Sequence, residues 1–183
     1  MPFSVSVLPS FLFTKSNNPP MTDFAQKTLD PTISMLFKFQ KKLINKCEGS
    51  DVRQCWSYEI FDGAKLVAVM HASVHFLNAT IIIGGKTFEI SPVINYFTLN
   101  KYLVLENDLD IGELTIPSLL HKKLLIEIYD EGLWEIRRSQ ARSKTVDGIA
   151  LLETPTECGN ASPLKKALLL FLTELLAWES NRL

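Results

Sequence analysis

Neither sign of charge prevails in this chain: 19 lysines and arginines face 20 aspartates and glutamates, for a formal net charge of -1. So close a balance gives no overall pull toward nucleic acid or an anionic membrane, and only local patches remain to supply one. Cysteine is scarce. Cys47, Cys55 and Cys158 are odd in number and widely spaced, which excludes a disulfide framework and a cysteine-based metal site. Three free thiols in a reducing, cytoplasmic setting are expected. No glycine-rich loop has phosphate-cradling spacing, since Gly84-Gly85 reads as a hairpin turn. No stretch reaches the roughly 18 uninterrupted apolar residues of a clear transmembrane helix. Residues Met1 to Thr14 are apolar, but no basic residue precedes the run and no clear small-residue cleavage site follows, so they make a poor signal peptide. Residues 1–30 are expected to be a disordered extension and 31–183 a single domain.

What the chain does have is apolar bulk. A hydrophobic fraction of 46% against 21% charged describes an ordered globular protein, and eleven phenylalanines favour strands and a large core. The most telling stretch begins at Ser162. That serine suits a helix N-cap, and Pro163 suits the first helical position, where its missing N–H costs nothing. Leu168, Leu169, Leu170, Phe171 and Leu172 are consecutive, so on a helix they point all the way round. A helix apolar on every side is buried on every side. Lys165, Lys166 and Glu174 interrupt the run, which argues for a core element over a membrane anchor. Both lysines are expected in water, in a first turn protruding from one end.

Upstream, Asp30-Pro31 reads as an N-cap followed by proline, predicting a helix from Pro31 to about Cys47 with a basic side of Lys38, Lys41, Lys42 and Lys46. Two short strands across Met35 to Ile44 also fit. From Trp56 the pattern becomes strands and tight turns. Tyr58 to Phe61 leads through Asp62-Gly63, read as a type I′ turn, into Lys65 to Met70. Further strands are predicted at Val74 to Ile83, Lys86 to Ile90, Val93 to Leu99, Tyr102 to Leu105, Ile111 to Ile116, Lys123 to Tyr129, Leu133 to Arg137 and Ile149 to Thr154. The polar stretch Ser139 to Lys144 separates the last two. In Lys123 to Tyr129, Leu124, Ile126 and Ile128 share one face, the alternation of a half-buried antiparallel strand.

Many short, evenly spaced strands followed by one wholly apolar helix predict a mainly β protein. The expected form is a closed antiparallel barrel of about ten to twelve strands around a central hydrophobic C-terminal helix, because closure removes edges and the helix fills the interior. The elements Tyr58-Glu-Ile-Phe-Asp-Gly-Ala-Lys-Leu-Val and Ile126-Glu-Ile-Tyr-Asp-Glu-Gly-Leu-Trp-Glu-Ile, with the apolar last helix, resemble the tubby-like superfamily of tubby C-terminal domains and phospholipid scramblases. The resemblance spans residues 35–178 and implies a twelve-stranded barrel around a helix, with binding of anionic lipid or phosphoinositide. The chain lacks the scramblases' acidic calcium-binding loop and a cysteine cluster for lipidation.

Candidate chemistry is sparse. His71 and His75 would share a face of one straight strand, but a third metal ligand is missing, so no metal is expected. The densest basic group is Arg137, Arg138, Arg142 and Lys144. Arginine forks bind phosphate oxygens bidentately, so these residues are the candidate lipid or phosphate contacts; a charged loop that keeps a strand edge from aggregating is the plainer reading. The expected protein is a monomeric, non-enzymatic binder at the membrane periphery, with no catalytic residues, no cofactor and no nucleic-acid partner. The alternatives are a small-molecule carrier or enzyme with a pocket at the barrel mouth, and an interaction protein without chemistry.

Overall fold

A computed structural model of the chain describes residues 34–45, 54–93, 101–116, 123–146, 149–155 and 160–180. The chain divides into the units Met1–Pro31 and Thr32–Leu183, and every described residue belongs to the second. The expected extension over residues 1–30 lies outside the described residues, as does most of the strand expected at Val93 to Leu99.

Among the described residues, eleven antiparallel strands form one sheet: β1 (Ser34–Ile44), β2 (Cys55–Asp62), β3 (Lys65–Ser73), β4 (Ala79–Ile83), β5 (Lys86–Pro92), β6 (Lys101–Glu106), β7 (Leu109–Thr115), β8 (Lys123–Ile128), β9 (Gly132–Arg137), β10 (Arg142–Val146) and β11 (Ile149–Pro155). The helix α1 (Pro163–Ser180) follows. Strand order is β10-β11-β1-β2 and then in sequence to β9, so β9 and β10 are the two edges, although only Arg138 to Ala141 separate them along the chain. A 3-10 turn, Arg138–Gln140, occupies most of that link.

The helix predicted from Pro31 to Cys47 is instead strand through Ser34–Ile44. Phe37 and Phe39 are buried while Lys38 and Gln40 are not, a period of two that the surrounding lysines disguise. Pairing with β11 on one side and β2 on the other outweighs the Asp30-Pro31 capping signal. The polar stretch Ser139 to Lys144 contains the start of β10, whose polar residues suit an edge. The strand expected from Val74 begins only at Ala79. Residues 74–78 form the β3–β4 turn, closed by Ser73 Oγ accepting from the Leu77 and Asn78 amides.

Turn chemistry explains the register. Gly84 and Gly85 both hold positive φ (55° and 85°), as do Asn107 and Asp108 (50° and 64°), the type I′ requirement. The β2–β3 turn differs from its expected form. Asp62 pairs with Lys65, so Gly63-Ala64 are the loop residues, and only Gly63 is in the positive-φ region, as type II′ demands.

Inward-facing side chains alternate along the strands: Tyr58 and Ile60; Ala68, Met70 and Ala72; Leu124, Ile126 and Ile128. They meet α1, in which every residue from Leu164 to Leu176 is buried. Phe171 packs against Phe76 at 6.0 Å and edge-on against Tyr102 at 5.4 Å. Ser162 caps the helix as its sequence implies: its Oγ accepts the Lys165 amide at 3.2 Å. Among the described residues no helix is long and apolar enough to cross a membrane.

Cys55, buried at the start of β2, is disulfide-bonded, and its partner lies outside the described residues. The expectation of three free thiols fails here because spacing along the chain does not reveal which thiols meet in space.

Candidate functional site

Polar groups gather at the two ends of α1. At its start the helix meets the turns that join β2 to β3 and β8 to β9. Lys165 and Lys166 are only 3% and 4% exposed, not in water as the sequence suggested. Lys165 Nζ donates to the Glu131 carbonyl at 2.8 Å, lies 3.7 Å from the Glu131 carboxylate, and sits over the Trp134 ring. Lys166 Nζ reaches Asp62 Oδ2 at 3.3 Å and lies over Phe37. Both lysines run their stems along aromatic rings of the sheet to acids at the ends of its hairpins.

Beside them lies a cavity of about 420 Å³, lined by Ile83, Phe88, Ile111, Ile128, Leu164 and polar residues of the neighbouring turns. Lys86 donates to Glu106 at 2.8 Å on its rim, and this bond raises the ammonium pKa. Tyr129 donates its hydroxyl to Asp110 at 3.1 Å; desolvation first, then that hydrogen bond, raises the phenol pKa.

Toward the other end of α1, Glu174 is 7% exposed, set among the apolar residues of the helix. Its Oε2 accepts from Lys41 Nζ at 2.6 Å and from the Tyr58 hydroxyl at 3.1 Å. Burial, then the Glu174 charge and its hydrogen bond, hold the Tyr58 phenol well above its ordinary range. Lys41 also lies 4.4 Å over Trp56. Sequence reasoning missed this cluster. The available signals were the acid set inside the apolar run of α1 and Lys41 at even spacing from Phe37 and Phe39.

The predicted basic group divides. Arg138 and Arg142 come together on a cavity of about 280 Å³ beside Thr173, Leu176, Ala177 and Ser180 of α1. Lys144 turns away to donate to Glu153 at 3.2 Å. Arg137 is exposed at the end of β9, opposite Lys123. Among the described residues, Arg137, Arg138 and Arg142 have no carboxylate within ion-pair distance.

His71 and His75 do not share a strand. His71 lies on β3 between Ser57 and Thr80, while His75 follows the strand end and packs 5.7 Å from Trp178. No group of three or more His, Cys, Asp or Glu among the described residues could hold a metal ion. Comparison with protein-family models, with curated proteins and with solved structures finds no match to the chain.

Proposed function

We propose that this chain is a non-enzymatic binding protein that docks on anionic lipid through Arg138 and Arg142, with Arg137 adding charge at the rim. The observation that carries the reading is the meeting of Arg138 and Arg142 on one cavity, with no ion pair to either among the described residues, although Glu153 stands opposite Arg142 in the β10–β11 register. A guanidinium with unused donors is suited to phosphate oxygens. Lys144, already paired with Glu153, drops out of the original set.

The resemblance to the tubby-like superfamily stays within this proposal, and so does closure of the sheet into a barrel. Two observations support closure: α1 is buried on all sides, and the edges β9 and β10 are tethered by only Arg138 to Ala141. The cytoplasmic setting rested on free thiols, and the disulfide at Cys55 removes that footing. The membrane periphery alone is retained.

Co-sedimentation with phosphatidylserine-containing vesicles at low salt tests the reading. Each basic residue near an anionic surface contributes about 1 kcal/mol, so Arg138→Gln with Arg142→Gln should weaken binding by roughly tenfold or more, while Lys144→Gln changes it little. Equal binding by the double variant and the natural chain would remove these arginines from any lipid site.

A further inference from the structure

We propose that the cavity at the start of α1 binds a small organic cation with an apolar body, such as a primary alkylamine. The site is built from other residues than the arginine face and does not depend on the lipid reading. Its volume of about 420 Å³ suits a small ligand. Phe88, Ile128 and Leu164 are buried core residues that also line it, so the cavity reaches from the rim to the apolar interior.

The charge of the ligand follows from the rim. Glu106, Asp110, Asp130 and Glu131 face it, against the single ammonium of Lys86. Lys86 is engaged by Glu106, and Glu131 lies against Lys165. Asp110 accepts only from neutral donors, the Tyr129 hydroxyl and the Gly112 amide, which leave its charge in place. Asp130 has no ion pair or hydrogen bond among the described residues. The start of a helix favours anions, but this one has little left to offer: Pro163 has no N–H, and Ser162 accepts the Lys165 and Lys166 amides, which leaves only the Leu164 amide. An anion would therefore sit against two carboxylates that no direct ion pair engages among the described residues, with Lys86 acting on Asp130 and Lys101 on Asp110 only through space. A neutral apolar ligand would desolvate those carboxylates without compensating them. An ammonium answers both, and the exposed Tyr129 ring beside Asp110 adds a cation–π face.

The full chain is titrated with hexylammonium, hexanol and hexanoate at millimolar concentration, read by the methyl resonances of Ile83, Ile111 and Ile128. Hexylammonium is expected to shift these resonances saturably, with hexanol at least about tenfold weaker and hexanoate without effect. Asp130→Asn, on an exposed turn, should weaken hexylammonium about threefold to tenfold and leave hexanol unchanged. The proposal is overturned if hexylammonium moves none of these resonances, if hexanol binds as well as hexylammonium, or if Asp130→Asn binds hexylammonium as the natural chain does.

Discussion

The two ends of α1 solve one problem in opposite senses. Toward its start, buried ammonium groups reach outward to acids on hairpin tips; toward its end, a buried carboxylate is met by a lysine and a tyrosine from β1 and β2. Lys166 is answered by Asp62, whose side chain is 65% exposed. Glu174 is answered by Lys41, whose side chain is 33% exposed, and by fully buried Tyr58. Cations in a first turn oppose the helix dipole, but Asp62 and Glu131 lie at the same end and offset them. In both places the helix supplies the buried ion and the sheet supplies a counter-ion nearer to water. A buried ionic group in this fold is thus not a defect of the core but a tie between helix and sheet, and it specifies how α1 sits along its own axis.

The largest effect should come from removing the shared element. Burying each large apolar side chain contributes about 1.5–3 kcal/mol, so the five from Leu168 to Leu172 together rival the net stability of a domain. Truncation before Ser162 should abolish the cooperative thermal transition, and Leu169→Lys should come close to doing so. A sharp transition in the truncated chain would mean that the sheet stands alone, and the comparison of the two ends would lose its basis.

A smaller and more discriminating effect concerns which partner is removed. Deleting the more exposed partner leaves an uncompensated buried charge, whereas deleting the buried partner frees the other to find water. Asp62→Ala should therefore destabilise more than Lys166→Met, and Lys41→Met more than Glu174→Gln. The expected costs are about 2–3 kcal/mol for the first of each pair and under about 1 kcal/mol for the second, below the usual range for buried pairs because Asp62 and Lys41 are partly solvated. Equilibrium urea unfolding reads all four. The reverse order at either end would show that the buried ion there is not held by the partner named.

Much of this architecture is legible in the chain. The cap at Ser162, the all-round apolar run after it, and the two I′ turns at Gly84-Gly85 and Asn107-Asp108 are local signals with local causes. Strand β1 is half legible: strands across Met35 to Ile44 also fit, but its lysines blur a period of two that only pairing with β2 and β11 enforces, and the Asp30-Pro31 signal favours a helix. The candidate site was half legible. Arginine density found Arg138 and Arg142, but composition cannot tell that Lys144 is spent on Glu153. The Lys41–Tyr58–Glu174 cluster joins residues more than a hundred positions apart, and no sequence period announces such a contact.

Alkaline pH should separate the two ends by the smallest margin. Tyr58 bonds Glu174, and Tyr102 packs against Phe171, with Glu179 among the groups acting on it; both tyrosines meet α1 from its middle onward. Burial pushes Tyr102 from an ordinary 10.0 up to about 12, with the Glu179 charge adding to it, and Tyr58 is raised in the same direction. Folding therefore favours the neutral phenols. Their contribution is complete below pH 10 and is lost as pH rises from there through the folded values, because the unfolded chain gives up its protons first. Each tyrosine that has ionised only in the unfolded state lowers stability by about 1.4 kcal/mol per pH unit over that window. Tyr102→Phe should flatten the stability profile between pH 10 and pH 12 while leaving the profile below pH 9 unchanged in slope. Tyr129, at the exposed rim by the start of α1, is raised in the same direction by desolvation and its bond to Asp110, so Tyr129→Phe should flatten the limb too, but by less, because water screens an exposed ring. Denaturant midpoints across this range provide the measurement. An alkaline limb as steep in Tyr102→Phe as in the natural chain would remove Tyr102 as a source of the loss.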